Sequence, residues 1–330
     1  MARVTGTTTH GEIAASPVAV SAWRRAELAN ALRAARGGTA WRREPVDRKA
    51  AFARRAGVDV SAAAGVEVVD TALERIMANP DFLPGSWLQR GSQATDAVAL
   101  IERADRDTAT GFLVTPWLLL TNRHVFPTAD AAAGAVLRFR YQLDADSQLT
   151  RVREHDADPE RCFLAGQADG LDYALVAVAP RPGDGDKPPG RTCRPVPMIG
   201  STGKALLGQP VNIVQHPRGR PREIVVRNNL LLTLTEHVLT YAADTESGSS
   251  GAPIFNDRWE LIGLHRRAVE DRNDAGEPID INGRPVTRAT PEAQRSWVAN
   301  EGIRTSAIVA DLKARTLSEA QRLLVTDIGG

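Results

Sequence analysis

Cysteine is nearly absent from the 330 residues: only Cys162 and Cys193 occur. Two thiols cannot build a disulfide framework or a four-cysteine zinc site. They read as free, mostly buried thiols in a reducing cytoplasm. A long apolar run is missing too. The longest, around 112–120, is broken by Thr and Pro and falls short of the ~18 residues that span a bilayer. The opening segment, MARVTGTTTHGEIAASPVAV, lacks the apolar core of a secretory signal, so none is expected. Charge of one sign is also lacking. The 41 basic side chains face 40 acidic ones, a net of +1, where dedicated nucleic-acid binders carry a clear basic excess. Lysine is scarce, at positions 49, 187, 204 and 313 only, and together with abundant alanine this hints at a GC-rich bacterial genome. What is present is ordinary for a globular chain, with 42% hydrophobic and 25% charged residues. That suffices for a sizeable core, and at ~150 residues per domain it suggests about two domains.

The stretch before Ser92 is rich in Ala and Arg and reads as helical. Ser21 is placed to cap a helix carrying Trp23, Leu28 and Leu32, ended by Gly37-Gly38. Pro45 opens a second stretch closed by Gly57, and a third over 66–77 puts Val69, Leu73 and Ile76 on one face. The segment NPDFLPGSW then breaks the pattern. The expectation over 1–92 is an α-helical regulatory or adaptor region and linker, with a structural brace as the plainer role. After Thr95 the hydrophobic period changes to two. AVALIERA, TGFLVT, WLLLT, AVLRFRYQL, YALVAVA, PVNIVQ, REIVVR, LLLTL, HVLTYAA, APIF and ELIGLHRRA are short runs separated by turn residues. This is the pattern of a mainly β barrel or sandwich, not of βαβ units. The segment RPGDGDKPPG (181–190) reads as a surface loop. PEAQRSWVAN, TSAIVADLKAR and LSEAQRLL read as helices. A β domain over 93–290 followed by C-terminal helices over 291–330 is therefore expected.

Three motifs carry chemistry. GFLVTPWLLLTNRHVF runs a strand into His124, GLDYALVAVAP puts Asp172 at the mouth of an apolar strand, and DTESGSSGAPIF holds Gly248-Ser249-Ser250-Gly251 in a turn before another strand. Each alone fits an ordinary structural role. Together, His, Asp and Ser stand in that order, 48 and 78 residues apart, in a β-rich chain. Over about residues 95–315 the sequence resembles the trypsin/chymotrypsin-like serine peptidases. TNRHVF matches the histidine motif in its bacterial form, DYAL the aspartate motif and GSSGAP the nucleophile motif.

The resemblance implies a double six-stranded β-barrel with a C-terminal helix and the active site in the cleft between the barrels. It implies a serine endopeptidase with no metal or cofactor. A serine hydroxyl needs a base to become a nucleophile. His124 would be that base and then the acid to the leaving amine, and Asp172 would fix its tautomer. Asp169 is the nearest rival for the carboxylate, outside the strand. The backbone N–H groups of Gly248 and Ser250, around Ser249, would form the oxyanion hole, each donor contributing about 3 kcal/mol.

Two departures stand out. Ser249 replaces the Asp that pairs with a new N-terminus in the digestive branch, so activity should not depend on liberating one. Arg266 stands where the family often has a Ser bonded to the catalytic Asp. At the pocket positions the chain has Asp244, Thr245 and His265, with Arg266 and Arg267 adjacent. Thr245 and His265 resemble the carboxylate-binding pair of bacterial glutamyl endopeptidases, whereas Asp244 at the pocket floor would favour a basic residue. A substrate strand is expected along 263–268. The N-terminal helices and ALERIMANPDFLPGSWLQRG look similar to extensions on cytoplasmic bacterial peptidases of defence type. The expected partners are protein substrates and a regulatory protein at these helices, without nucleic acid or membrane. The alternatives left open are a protease-like binding or scaffold module with an unused triad, and an active protease with basic preference.

Overall fold

The computed structural model describes residues 25–61, 64–77, 82–167, 170–181, 187–226 and 228–329. Four helices come first: α1 (Arg25–Arg36), α2 (Val46–Arg55), α3 (Val66–Met77) and α4 (Ser86–Thr95). The proposed cap Ser21 and Trp23 lie outside the described residues, as do part of NPDFLPGSW and part of the 181–190 loop. Helices α2 and α3 bury Phe52, Val69 and Leu73 around Trp41 and close over Leu206 of the β domain. Helix α1 buries Leu28, Ala31 and Ala35 against Leu232, Val269 and Ala299. The helical stretch is thus docked on the β domain.

The first barrel is β1 (Val98–Glu102), β2 (Thr108–Leu113), β3 (Leu118–Thr121), β4 (Val136–Phe139), β5 (Arg153–Ala165) and β6 (Ala174–Val178), with the short α5 (Ala129–Ala132) before β4. It closes in the order β1-β2-β3-β6-β5-β4. β3 and β6 are apolar on both faces and buried throughout, so the alternation of a half-solvated strand is absent from them. Burying one such leucine contributes roughly 2 kcal/mol.

The second barrel uses β7 (Val211–Gln215), β8 (Glu223–Val225), β9 (Leu230–Leu234), β10 (Val238–Ala242), β11 (Pro253–Asn256), β12 (Leu261–Glu270) and β13 (Trp297–Arg304). Its seven strands run β8-β7-β11-β12-β13-β10-β9. β9 returns to the start of β7 through a bridge between Pro210 and Leu230, with Gly208 N–H donating to Leu231 O at 2.8 Å and Val211 N–H to Asn229 O at 3.0 Å. Six strands therefore form a ring, and β8 is a hairpin partner outside it. The expected double barrel is present.

The C-terminal reading needs one correction. PEAQRSWVAN is not helical: a single 3-10 turn spans Glu292–Gln294, and β13 follows, paired to β12 and β10. The strands thus continue to Arg304, past the expected boundary at 290, and helices begin only with α6 (Thr305–Ala314) and α7 (Glu319–Val325). Among the described residues, no helix is long and apolar enough to cross a membrane.

Candidate active site

β3 and β6 are antiparallel neighbours with Thr121 opposite Ala174. The chain three residues beyond Thr121 therefore meets the chain two residues before Ala174, which brings His124 to Asp172. His124 Nδ1 lies 2.8 Å from Asp172 Oδ2, and the His124 backbone N–H donates to Asp172 Oδ1 at 3.0 Å. Asn122 Nδ2 donates to the Asp172 carbonyl at 3.0 Å and fastens the two turns together. Burial alone would raise the Asp172 carboxyl. The hydrogen bonds from His124 and the charge of Arg266 outweigh it and hold the group below its ordinary value. The rival Asp169 lies outside the described residues.

Ser250, in the second barrel, is tied by its backbone to the first barrel near the end of β3, and among the described residues it makes no hydrogen bond to His124. Its carbonyl accepts from Thr110 N–H of β2 at 2.9 Å, and Thr121 at the end of β3 donates its hydroxyl to the Thr110 carbonyl at 2.9 Å. The turn before Ser250 has Gly248 at φ +90° and a bond from Ser249 N–H to Glu246 O at 3.1 Å, the geometry of a type II turn. Gly251 has φ +85°, and a Cβ there would stand 2.0 Å from the Thr110 carbonyl oxygen, so only glycine fits. Gly251 N–H donates to His265 O at 3.0 Å. Among the described residues, the N–H groups of Gly248 and Ser250 make no hydrogen bond, while those of Ser249 and Gly251 on either side do. Buried Ser249 puts its hydroxyl on the N–H of Glu246 at 3.2 Å. Glu246 itself is held by Arg220 at 2.7 Å and Arg218 at 3.3 Å.

The pocket residues separate in character. His265 is buried and its Nδ1 lies 2.6 Å from the Tyr241 hydroxyl. Burial pushes that phenol well above its ordinary value, so it stays protonated and donates. Nδ1 is then the acceptor and the ring proton sits on Nε2. Burial, with the nearby charge of His124, pushes His265 down to about 3, so the ring is neutral at physiological pH. A cationic ring is thus disfavoured in the free protein. Thr245 donates its hydroxyl to Asn300 Oδ1 at 2.5 Å, and Asn300 Nδ2 donates to Ala243 O at 2.6 Å. Its proton is committed, in contrast to the donor role expected for it. Asp244 is exposed, with its carbonyl bonded by Gln215 Nε2 at 3.3 Å. Arg266 and Arg267 do not lend the pocket free positive charge: Arg266 lies on Asp172 and Glu301, and Arg267 lies 3.3 Å from Glu301. Tyr241, Asn300 and Glu301 had no signal in the sequence. Among the described residues, no group of three or more His, Cys, Asp or Glu is placed to hold a metal.

A closed six-strand barrel beside a second six-strand ring is the arrangement of the chymotrypsin-like fold. Residues 109–264, just under half of the chain, match the model of the trypsin-like peptidase domain, so the chain carries a trypsin-like peptidase domain over that span. It is 33% identical over 294 residues to an uncharacterized protein of Sinorhizobium fredii, covering 81% of this chain and 43% of that one. It is 26% identical over 238 residues to a probable serine protease of Lysobacter enzymogenes, covering 63% and 36%. It is 25% identical over 181 residues to a glutamyl endopeptidase of Staphylococcus aureus, covering 53% and 47%. The chain thus spans less than half the length of each of these relatives. A solved serine endoprotease from Yersinia pestis superposes with a TM-score of 0.46 at 17% identity, over 70% of this chain and 67% of that one.

Proposed function

We propose that the chain is a serine endopeptidase that cleaves protein substrates through a Ser250 acyl-enzyme. His124 is the base and then the acid, Asp172 orients it, and the N–H groups of Gly248 and Ser250 receive the oxyanion. The observation that carries this reading is the His124–Asp172 pair, at 2.8 Å, in a chain whose Gly248 and Ser250 N–H groups have no hydrogen-bond acceptor among the described residues. The likeness to glutamyl endopeptidase supports it. The rival reading, a silent binding or scaffold module, was motivated by the missing serine behind Asp172 and by the lack of an obvious activation device. Arg266, whose Nε donates to Asp172, answers the first of these.

For the residue before the cut bond we favour an acidic side chain. His265 Nε2–H is a neutral donor fixed by Tyr241, and a carboxylate is a strong acceptor. Exposed Asp244 is a weaker case for basic specificity. The docked helices α1–α3 support a structural brace more directly than a free adaptor arm, although Phe82, ahead of α4, and Leu88, on α4, are exposed to a regulatory partner. The two unpaired cysteines and the arginine-rich composition support a bacterial cytoplasmic peptidase, with defence as one setting. The test is a peptide-library cleavage profile of the wild type beside Ser250→Ala. Loss of all cleavage with Ser250→Ala supports the reading, and equal cleavage by both proteins overturns it.

A further inference from the structure

Behind the triad carboxylate lies a buried charge cluster of which the peptidase reading uses only the contact of Arg266 with Asp172. Arg266, on β12, is 7% exposed. Its Nε donates to Asp172 Oδ2 at 3.2 Å, the same oxygen that faces His124 Nδ1 at 2.8 Å. Its Nη1 donates to Glu301 Oε1 at 3.1 Å, and Glu301, on β13, is fully buried. Arg267 approaches the same Glu301 oxygen at 3.3 Å from the rim. The register explains the cluster: β12 and β13 are paired, with Arg267 opposite Glu301. Among the described residues, Arg123, whose guanidinium bonds Gly166 O, neighbours His124 in sequence, and His265 on β12 feels its charge.

We infer that Arg266 and Glu301 form a charge relay behind Asp172 that sets how readily His124 takes up a proton, with Arg266 as a positioning residue for the triad carboxylate. The inference rests on the triad reading above. A neutral hydroxyl in this post would orient Asp172 without altering its charge. A guanidinium orients it and also draws on its negative charge, so Asp172 stabilises a protonated His124 less. Glu301 returns part of that charge by neutralising Arg266. The two residues therefore act on His124 with opposite sign. Glu301 also makes the arrangement tolerable, because a buried guanidinium serving one carboxylate shared with an imidazole would lack full compensation.

The opposite signs give the test. The full chain, labelled with 15N-histidine in a Ser250→Ala background, is titrated by NMR, and the His124 ring signals are assigned with His124→Gln. This readout needs no turnover, so it stands or falls apart from the activity itself. Glu301→Gln leaves the arginine uncompensated and should move the His124 midpoint to lower pH. Arg266→Gln should move it to higher pH. The Arg266→Gln/Glu301→Gln pair, which leaves neither charge unpaired in the interior, should move it upward by less. Shifts on the order of half to one pH unit are expected for charges one group removed from the ring. In the Ser250 enzyme the acid limb of kcat/KM should follow the same order, with KM little changed. Midpoints that stay fixed in all three variants, or that all move in one direction, overturn the inference. An enzyme without Ser250-dependent cleavage overturns the peptidase reading but leaves the titration result to stand.

Discussion

Thr110, in the first barrel, donates its hydroxyl to the carbonyl of Gly248 in the second at 2.8 Å. The Thr110 hydroxyl oxygen also accepts from His216 N–H at 3.0 Å, so one side chain joins β2, the end of β7 and the nucleophile turn. Thr110→Val keeps the shape and leaves a buried donor and a buried acceptor unpaired, at a cost of about 1–3 kcal/mol. The expected result is a lower Tm with kcat reduced more than KM is raised, because the turn that carries Ser250 is loosened. Steady-state kinetics beside thermal unfolding checks it, and a variant with wild-type kcat would show that Thr110 does not hold the turn.

His124→Ala should lower peptide hydrolysis by orders of magnitude while leaving the circular dichroism spectrum intact. Asp172→Asn should also be severe, on the order of 10⁴-fold by analogy with other triads, because an amide fixes the wrong tautomer. Labelling of Ser250 by a serine-directed phosphonate should fall in parallel. Persistent rapid labelling in either variant would contradict the assigned roles.

Two buried histidines make stability depend on pH. His216 is pushed down to about 4 and His265 to about 3, chiefly by burial. In the unfolded chain both titrate near 6.5, so below that pH the unfolded state binds more protons and stability falls as the pH falls. His216 contributes down to about 4 and His265 down to about 3. At about 1.4 kcal/mol per unit, the pair removes several kcal/mol between neutrality and pH 4, to order of magnitude. Asp172 adds to the loss lower down, since a depressed carboxyl stabilises above its unfolded value and ceases to as the pH drops through its folded one. Urea unfolding of the Ser250→Ala chain across pH measures the slope, and His216→Gln should flatten it between about 6.5 and 4. An unchanged slope would place the sensitivity elsewhere.

On specificity, cleavage of matched peptides with Glu, Asp, Arg and Leu before the cut bond should favour Glu. His265→Ala should erase that preference by tenfold or more, the scale of one charge-assisted hydrogen bond of about 1.5–3 kcal/mol. Tyr241→Phe should weaken it by less, since the ring stays but its tautomer is freed. A preference for Arg that Asp244→Asn abolishes and His265→Ala leaves alone would reverse the assignment.

Most strands were legible because each apolar run is short and bounded by turn residues. β5 was not: Arg153–Ala165 is rich in Asp, Glu and Arg, and its pairing with β6 shifts register between Asp158 and Phe163. β13 was read as helix from Pro291, Glu292, Ala293 and Gln294, and pairing on both sides, to β12 and β10, overrides that local preference. Helix α4 was hidden by Gly85 and Gly91. Gly91 is explained only by packing, since a Cβ there would lie 2.6 Å from the Trp259 ring. His124, Asp172 and Ser250 stood in local motifs, and the structure pairs the first two directly. Arg266, Asp172 and Glu301 meet only through register and strand order, which no local window contains.

Helix α4 has a role beyond packing. It runs directly into β1 of the first barrel while Trp87 donates to Asp257 O at 2.8 Å and packs at a tilt, ring centroids 5.1 Å apart, on Trp259 of the second. Arg222, beside β8, bonds the carbonyl of Thr95 at its C-terminal end. The helix works as a splint across the two halves of the cleft. The matched family region begins at residue 109, yet the spacing between the halves that carry His124 and Ser250 is set partly by chain upstream of it. A mutation in α4, remote from any reacting atom, would then register as a change in how well the two halves of the machinery meet.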